Sequence, residues 1–403
     1  MKILHLSTYD KGGAATAALR LHDGLLKNGI DSSFLVLHKN SKRDDVTEHA
    51  MHHSGLMQKA FNYLGFPQTT VQKNYMRIKN KTNTGAPFTF PITGIDVTQN
   101  DLIKNADIIN LHWVSDFIDY SSFFKKINKP VVWTLHDMNP FMGGFHYSTD
   151  KEQNKFELDT LEKQFENIKQ IALEKFKNLS IVSPSKWLLE LSENSNILSA
   201  FKHYYIPYGL DLDIFKTMDR REARRLNNLP DEKIILTFIS DNIKIHRKGF
   251  DLLLQSVKKL NSSTNILFCA IGQNNEEMNS DIHYFGSIQD NQKLSSLYAA
   301  SDAIIIPSRQ DNLPNVMLEA LATGTPVIAF NTGGMKDVIT NEYTGFLADT
   351  IDAAELLKGI NNFLLKRKIF NKREIRKFAE DFLSLDQQAK SYINLYNQIL
   401  NHH

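Results

Sequence analysis

Cysteine is nearly absent from this sequence, which has one cysteine, Cys269, among 403 residues. A single thiol cannot form an intramolecular disulfide, so a disulfide framework is excluded and a reducing compartment is expected. Cys269 lies in the apolar run 266–271, a setting typical of a small core side chain. We therefore interpret it as a structural residue.

The sequence also lacks a large excess of charge of one sign, and it lacks long apolar runs. The 47 basic and 45 acidic residues give a formal net charge of +2, so the overall balance does not indicate a nucleic-acid partner. No uncharged apolar stretch approaches the roughly 20 residues that a membrane-spanning helix needs. The amino-terminal run MKILHLSTYD lacks the apolar core of a signal peptide. A cytoplasmic protein is the expectation.

Alternating strand and helix patterns are abundant in both halves of the chain. With 42% hydrophobic residues, the chain is long enough for two domains with separate cores. The alternation predicts an α/β protein with two doubly wound parallel sheets. We place an amino-terminal domain at 1–207 and a carboxy-terminal domain at 208–383, with a helix near 384–403 that packs back on the first. The expected strands are 3–7, 33–37, 107–113, 131–135, 179–182, 204–207, 234–239, 266–271, 284–287 and 303–306.

The segment 303–330 contains the most informative pattern. A short β-branched run, 303–306, predicts a buried strand, while Pro314 suits the first turn of a helix and Gly324 suits its end. Asp311 then lies in the connecting loop and Glu319 on the helix. Such loops lie at the carboxyl edge of a parallel sheet, where small ligands bind and helix amino-termini favour anions. We expect a ligand site here.

Glycines and polar residues follow most of the other predicted strands. If the carboxyl edges of the two sheets face each other, the ligand site is the cleft between the domains. The Gly12-Gly13 pair alone is weak evidence, because a tight turn needs glycine without any ligand. The residues that follow strands are Gly12, Gly13, Trp113, His136, Arg247, Lys248, Gly272, Ser287, Asp311, Gly333 and Gly334.

Two further features of the sequence each allow a functional interpretation and a purely structural one. Asp211 and Asp213 form a DxD pattern that could hold a divalent cation against a diphosphate, but they lie in the interdomain connection, so no metal site is expected. The segment 51–95 contains no acidic residue but five basic ones, together with apolar residues at helical spacing. It is either a surface for anionic lipid headgroups or a lipid-linked phosphate, or a packed helix followed by a solvated loop.

Four stretches together resemble a known family. They are the first strand with its glycine turn, TLHDMNPFMGGFHY, HRKGFDLLL, and DNLPNVMLEALATGTPVIAF. The combination is similar to the GT-B glycosyltransferases of glycosyltransferase family 4, in particular their bacterial surface-polysaccharide, colanic-acid-type branch. The resemblance runs from about residue 2 to about residue 346. It implies two Rossmann-like domains that face each other across a cleft.

The resemblance also implies an activity. Such enzymes transfer a sugar from a nucleoside diphosphate to a glycan or lipid-linked acceptor with retention of the anomeric configuration, without a metal or other cofactor. Two alternatives remain on the same architecture: a donor-binding protein without transferase activity and a nucleotide-sugar epimerase. The first is motivated by Asp311, Asn312 and Asn242, which stand where the family usually has glutamate, glycine and arginine.

Residue roles follow from the resemblance position by position. Glu319 is expected to bind the ribose hydroxyls and Asp311 the sugar ring, while Lys248 pairs with the diphosphate and stabilises the leaving group. Arg247 or a helix amino-terminus would supply the charge that Asn242 lacks. His136 resembles the histidine near the transferred sugar. Further donor-binding positions are Gly12, Gly13, Gly272, Ser287, Ile288, Asn312, Leu313, Gly333 and Gly334.

Overall fold

A computed structural model of the protein describes residues 1–50, 85–243, 245–260, 265–273 and 281–401. The chain divides into two compact units. The first contains Met1–Ser183, Leu189–Tyr205 and Ile393–His403, and the second contains Pro184–Leu188 and Ile206–Tyr392. Most of the basic segment 51–95, for which membrane contact is one interpretation, lies outside the described residues.

The first unit is built on a parallel sheet of seven strands in the described part of the chain, in the order β3-β2-β1-β4-β5-β6-β7. The strands are β1 (Lys2–Tyr9), β2 (Asp31–His38), β3 (Val46–Glu48), β4 (Ile108–Leu111), β5 (Val131–Thr134), β6 (Leu179–Ser183) and β7 (Lys202–Tyr205). The helices are α1 (Gly13–Lys27), α2 (Asp101–Asn105), α3 (Tyr120–Lys126), α4 (Ser148–Gln153), α5 (Lys155–Glu174) and, shared with the second unit, α6 (Lys186–Glu193).

Burial on both faces explains why the central strands β4 and β5 of this sheet are largely apolar. Every residue of β4 and β5 is buried, as parallel strands covered by helices require. The strand order reverses between β1 and β4, whose residues Leu4 and Ile109 are paired in register. Ligands of open α/β sheets bind at the carboxyl ends of the strands beside such a switch point. Residues that follow β1, β4 and β5 lie at that edge.

The second unit has a parallel sheet of six strands among the described residues, in the order β10-β9-β8-β11-β12-β13. The strands are β8 (Ile234–Asn242), β9 (Ile266–Gln273), β10 (Ile282–Gly286), β11 (Ala303–Ile306), β12 (Val327–Phe330) and β13 (Gly345–Ala348). The helices are α7 (Arg220–Leu226), α8 (Phe250–Val257), α9 (Asn291–Ala300), α10 (Asn315–Ala322), α11 (Ala353–Lys366), α12 (Lys372–Phe382) and the start of α13 (Leu385–Asn401). Here the strand order reverses between β8 and β11.

Apolar side chains from both sheet faces form the core of this unit. Leu236, Ile305 and Ile328 from three neighbouring strands pack with Leu356 and Ile360 of α11. All four residues of β11 are buried, which agrees with the β-branched run in the sequence. The two parallel α/β sheets confirm the predicted fold class.

Two local predictions need correction. Gly272 was expected after its strand but lies inside β9, where its φ is 145° and a Cβ atom would approach the Ser240 backbone oxygen to 2.0 Å. The strand continues past this glycine because β8 has an irregularity between Ile239 and Asn242 that brings its backbone close. Pro314 precedes the first turn of α10 as its N-cap residue instead of lying in it, whereas Gly324, with φ 76°, follows the helix as expected.

The last helix, α13, contributes to both units. Its first part lies in the second unit, and Ile393 and later residues belong to the first. Within the first unit, the buried Asn110 side chain of β4 donates a 2.8 Å hydrogen bond to the hydroxyl of Tyr396. No helix among the described residues is long and apolar enough to cross a membrane.

Candidate functional site

Basic residues of the second unit follow β8 in a 3₁₀ turn, His246–Lys248. Gly249 ends this turn with φ 71°, and a Cβ atom there would lie 1.8 Å from the Pro307 backbone oxygen. Only glycine allows the turn to approach the loop after β11 this closely. The HRKG sequence thereby places Arg247 and Lys248 at the switch point of the sheet.

Asp311 forms ion pairs with both Arg247 and Lys248 of this turn. Lys248 Nζ donates to Asp311 Oδ2 at 2.5 Å, and Arg247 Nη1 lies 3.4 Å from Oδ1 while donating to the Gln310 carbonyl at 2.7 Å. Burial alone would raise the pKa of Asp311, but the charges of Lys248 and Arg247 outweigh burial and lower that pKa below its ordinary value. The three predicted residues thus form one cluster in which two partly exposed basic side chains pair with a buried, ionised carboxylate.

The loop after β12 packs directly on the Asp311 loop. Gly334 N donates to the Asn312 carbonyl at 2.7 Å, and a Cβ atom on Gly333 would lie 1.8 Å from the Asp311 carbonyl oxygen. Asn312, which stands in place of a usual glycine, accepts a 2.6 Å hydrogen bond from Ser185 Oγ. The predicted glycine pair is therefore needed for close backbone contact at the site.

Glu319 is buried on α10, and its carboxylate accepts a hydrogen bond from another side chain of the same protein. Tyr298, a fully buried residue of α9, donates from its hydroxyl to Glu319 Oε2 at 2.7 Å. The sequence did not single out this tyrosine, because an aromatic residue in a helix is usually an ordinary core residue. The expected contact of Glu319 with a ribose stays a prediction.

The remaining predicted donor-binding residues lie at the same edge of the sheet or near it. Asn242 is the last residue of β8, and Leu313 is buried beside Asn312. Ser287 follows β10, is exposed and accepts from Gln289 Nε2 at 3.2 Å, while Ile288 packs against a hydrophobic cluster. Their contact with a donor stays a prediction.

Three buried histidines form a chain in the first unit. His5 Nδ1 lies 2.8 Å from His112 Nε2, and His112 Nδ1 lies 3.0 Å from His136 Nε2. Burial lowers the pKa of His136 to about 4 and those of His5 and His112 well below their ordinary value. The predicted His136 is thus a neutral imidazole at the carboxyl end of β5.

The residue after His136 organises a second polar group. Asp137 Oδ2 accepts from Trp113 Nε1 at 2.8 Å and from His146 Nδ1 at 2.6 Å. Burial would raise the pKa of Asp137, but the charge and hydrogen bond of His146 bring it below the ordinary value. The carboxylate ties the residue after β4 to the glycine-containing loop after β5.

Two residues of α5 that the sequence analysis missed hold the same loop. Glu162 accepts from the backbone amides of Gly143, Gly144 and Phe145 at 3.0, 2.6 and 3.1 Å. Lys169, whose pKa burial lowers to about 7, donates to the Met142 carbonyl at 2.9 Å. Their spacing of seven residues puts both on one helix face, which is the only signal the sequence offers.

Gly12 and Gly13 begin α1 after the carboxyl end of β1. Gly12 is the N-cap residue with φ 95°, and a Cβ atom there would meet nothing within 4 Å. Backbone conformation, and not close packing, therefore requires this glycine.

Groups that could hold a metal were also located. His22, Asp23 and Asp45 offer ligand atoms within 4.8 Å of one another, but Arg43 forms ion pairs with both carboxylates. Asp211 Oδ1 accepts from the backbone amide of Asp213 at 3.0 Å and so stabilises a turn. Neither group is part of the clusters at the sheet edges.

Comparison with curated proteins gives partial matches. A protein of Klebsiella pneumoniae described as "Uncharacterized 41.2 kDa protein in cps region" is 27% identical over 192 residues, which are 47% of this chain and 53% of that protein. The next relatives are matched over 41% and 38% of their length. The chain therefore spans about half or less of the length of the first curated relatives that it matches.

Solved structures match over the whole chain. Sucrose-phosphate synthase from Thermosynechococcus elongatus has a TM-score of 0.71 at 18% identity and full coverage of both chains. Anabaena Alr3699/HepE, solved in complex with UDP-glucose, has a TM-score of 0.66 at 14% identity and covers 99% of this chain and 100% of its own. At these identities the likeness establishes the fold.

A family match covers most of the second unit. Residues 219–380 match the family described as Glycosyl transferases group 1. This range includes the turn with Arg247 and Lys248, the Asp311 loop, Glu319 and the Gly333-Gly334 pair. Over this segment the chain is therefore similar to the group 1 glycosyltransferases, and it has the GT-B fold of two Rossmann-like domains.

Proposed function

We propose that this protein is a retaining glycosyltransferase that moves a sugar from a nucleoside-diphosphate sugar to a glycan or lipid-linked acceptor in bacterial surface-polysaccharide biosynthesis. The observation that supports it most is the cluster of Lys248, Arg247 and Asp311 at the switch point of the second sheet. Two cations held beside one carboxylate at this edge suit a ligand with phosphates and sugar hydroxyls.

Each residue of the cluster has a proposed task. Lys248 is a mobile ammonium group with three donors, one of which Asp311 uses. Its remaining donors are proposed to bind the diphosphate and to stabilise the negative charge that develops as the sugar departs. Asp311 then binds sugar hydroxyls through carboxylate lone pairs that remain after the ion pairs, and Glu319 binds the ribose.

The first unit is proposed to act on the acceptor side. His136, Asp137 and the loop after β5 lie at the carboxyl edge of its sheet, with His136 assigned to the transferred sugar by family resemblance. The Klebsiella pneumoniae relative is described as a protein in a cps region, which supports a role in polysaccharide synthesis. Anabaena Alr3699/HepE was solved in complex with UDP-glucose, which supports a nucleotide-sugar donor.

No metal or other cofactor is proposed for the reaction. The two aspartates of the DxD pattern, Asp211 and Asp213, stabilise a turn, and Lys248 and Arg247 provide the positive charge that a divalent cation would otherwise supply. No carboxylate is assigned as a nucleophile. Retention of the anomeric configuration is then consistent with a mechanism in which the diphosphate departs and the acceptor attacks on the same face of the sugar.

A thermal-shift screen across nucleoside diphosphates and their sugars identifies the donor, since a ligand that binds only the folded state raises the melting temperature. Transfer is then assayed in the presence of a chelator with wild type, Glu319→Ala and Lys248→Ala. We expect transfer by the wild type and its loss in both variants. Equal rates in all three would refute the site, and loss of wild-type activity under chelator would return attention to Asp211 and Asp213.

A donor-binding protein without transferase activity is the second candidate. It is favoured by the direct ion pair between Lys248 and Asp311, which occupies the cation expected to assist the leaving group. Calorimetry that shows binding of a nucleotide sugar, together with no hydrolysis or transfer across a panel of acceptors, would establish this alternative. An epimerase would instead consume donor without acceptor and yield a changed sugar by NMR.

A further inference from the structure

The chain of His5, His112 and His136 restricts where protons can lie. Two nitrogen-to-nitrogen contacts, at 2.8 Å and 3.0 Å, join the three rings, and each contact needs one hydrogen between its nitrogens. A neutral imidazole carries a single N–H. Because burial keeps all three rings neutral, only two arrangements place one proton in each contact.

The two arrangements differ at the ends of the chain. In the first, all three protons lie on Nδ1, so His5 donates to His112 and His112 donates to His136. In the second, all three lie on Nε2 and every hydrogen bond runs the other way. His136 is then a donor through Nδ1 in the first arrangement and an unprotonated acceptor at Nδ1 in the second.

The surroundings of His5, at the buried end of the three histidines, distinguish the two arrangements. His5 Nε2 is buried and has no hydrogen-bond partner among the described residues. The His5 ring stacks on Phe34 at 5.7 Å between ring centroids and meets the edge of His22 at the same distance, while both nitrogens of His22 already contact Ser32 and Asp45. The second arrangement would bury an unpaired N–H at His5, and orphaned buried donors are rarer than orphaned acceptors.

We propose that His112, supported by His5, is a positioning residue that fixes His136 as the neutral tautomer with its proton on Nδ1. His136 then enters the reaction as a neutral imidazole of one fixed tautomer. This role of His136 rests on the proposed function, whereas the tautomer does not.

Backbone contacts between neighbouring strands hold the three histidines at a fixed spacing, as the positioning of His136 requires. His112 follows β4, and its amide donates to the Leu6 carbonyl of β1 at 2.9 Å. Its carbonyl accepts from Trp133 Nε1 of β5 at 3.3 Å. Strand β1 contains His5, while His112 and His136 come just after the ends of β4 and β5, so three adjacent strands of the sheet set the ring spacing.

The test is ¹⁵N NMR of histidine-labelled protein at neutral pH, which reports the protonated nitrogen of each ring. Signals are assigned by His5→Phe, His112→Phe and His136→Phe, each of which removes one set. We expect His5, His112 and His136 all to carry the proton on Nδ1 in the wild type. A proton on Nε2 of any of them, or a doubly protonated ring, would overturn the proposal.

A second measurement separates positioning from packing. His112→Phe keeps an aromatic ring but removes both nitrogen contacts, so His136 should lose its single tautomer and kcat should fall about tenfold, the loss expected for one hydrogen bond. The matched control is Phe34→Leu, which alters the ring stacked on both His5 and His112 but leaves the nitrogens in place. It should keep the Nδ1 tautomer of His136 and a kcat close to the wild type.

The outcomes also separate this inference from the proposed function. If no donor is turned over but the three rings carry their protons on Nδ1, the tautomer assignment stands and the proposed function fails. If transfer is found but His136 keeps one tautomer in His112→Phe, the proposed function stands and the positioning role of His112 is refuted.

Discussion

Lys248 Nζ lies 2.5 Å from Asp311 Oδ2, where strands β8 and β11 end side by side. The two residues are far apart in sequence and come from different loops, yet each satisfies the charge of the other. A phosphate that binds Lys248 must therefore share this ammonium group with the carboxylate. We therefore expect the affinity for a free nucleoside diphosphate, which has no sugar for Asp311 to bind, to depend on the two residues in opposite directions.

The first prediction concerns that competition. Lys248→Met should weaken binding of a free nucleoside diphosphate at least tenfold, because charge-assisted hydrogen bonds are worth about 1.5–3 kcal/mol. Asp311→Asn should strengthen it, because the ammonium group loses its competitor. Isothermal titration calorimetry measures both. Lys358→Met is the matched control, since Lys358 also pairs with a carboxylate, Glu355 at 3.0 Å, but on the exposed face of α11; weaker binding in this control would show a general charge effect.

The second prediction concerns the tyrosine beneath Glu319. Tyr298→Phe removes a buried hydrogen bond to the carboxylate and should lower the free energy of unfolding by about 1–3 kcal/mol in urea. It should also weaken nucleotide binding, because Glu319 loses the contact that orients it. Tyr343→Phe, which removes a 3.3 Å contact at the surface, should change stability by less than about 0.5 kcal/mol. Unchanged stability in Tyr298→Phe would contradict the importance of this contact.

The third prediction compares two glycines with similar backbone angles. Gly333 and Gly286 have φ of 58° and 70°, but an added Cβ atom meets the Asp311 carbonyl at 1.8 Å at Gly333 and nothing within 4 Å at Gly286. Gly286→Ala should cost about 1 kcal/mol from backbone strain alone. Gly333→Ala should cost clearly more and reduce donor affinity, since it displaces the Asp311 loop. Equal unfolding curves for the two variants would rule out the close approach.

Acid should destabilise the protein through the histidine chain. The pKa of His136 is lowered to about 4 and those of His5 and His112 are lowered too, so between the ordinary value of 6.5 and these lowered values the unfolded chain binds more protons than the folded one. Stability is therefore lost as pH falls from about 6.5 toward 4, with each histidine adding up to about 1.4 kcal/mol per pH unit.

Urea unfolding at several pH values measures this slope. His5→Phe removes one of the three groups and should make the loss of stability with falling pH less steep. His38→Gln, at the exposed end of β2, is the control for removing a histidine outside this group. An identical slope in wild type and His5→Phe would show that His5 titrates alike in the folded and unfolded chain.

The fold could be predicted from the sequence because local patterns and tertiary burial agree. Ala303–Ile306 was expected as a buried strand and has these bounds in the structure, since a short run of mostly β-branched residues favours a strand covered on both faces. Short elements such as β3 and β13 were missed. Their pairing with β2 and β12 comes from distant parts of the chain, and their own residues carry little pattern.

The candidate site was only partly accessible to sequence reasoning. Lys248 and Asp311 were chosen because they follow strands, a rule that depends on local order along the chain, and Glu319 was chosen through the family resemblance. Tyr298, Glu162 and Lys169 were missed because each acts from the middle of a helix on a loop or helix elsewhere in the sequence. Nothing in a helical pattern distinguishes a buried polar contact from ordinary packing.

The hydrogen bond between Asn110 and Tyr396 has a consequence for biosynthesis. Strand β4 lies in the middle of the first sheet, but its buried amide finds its partner in residues that follow the whole second unit in sequence. A ribosome delivers Tyr396 after residues 206–392. The amino-terminal unit is thus the last to be completed: the described strands of its sheet are all made by residue 205, but the buried amide of Asn110 waits for Tyr396 until the second unit has been synthesised.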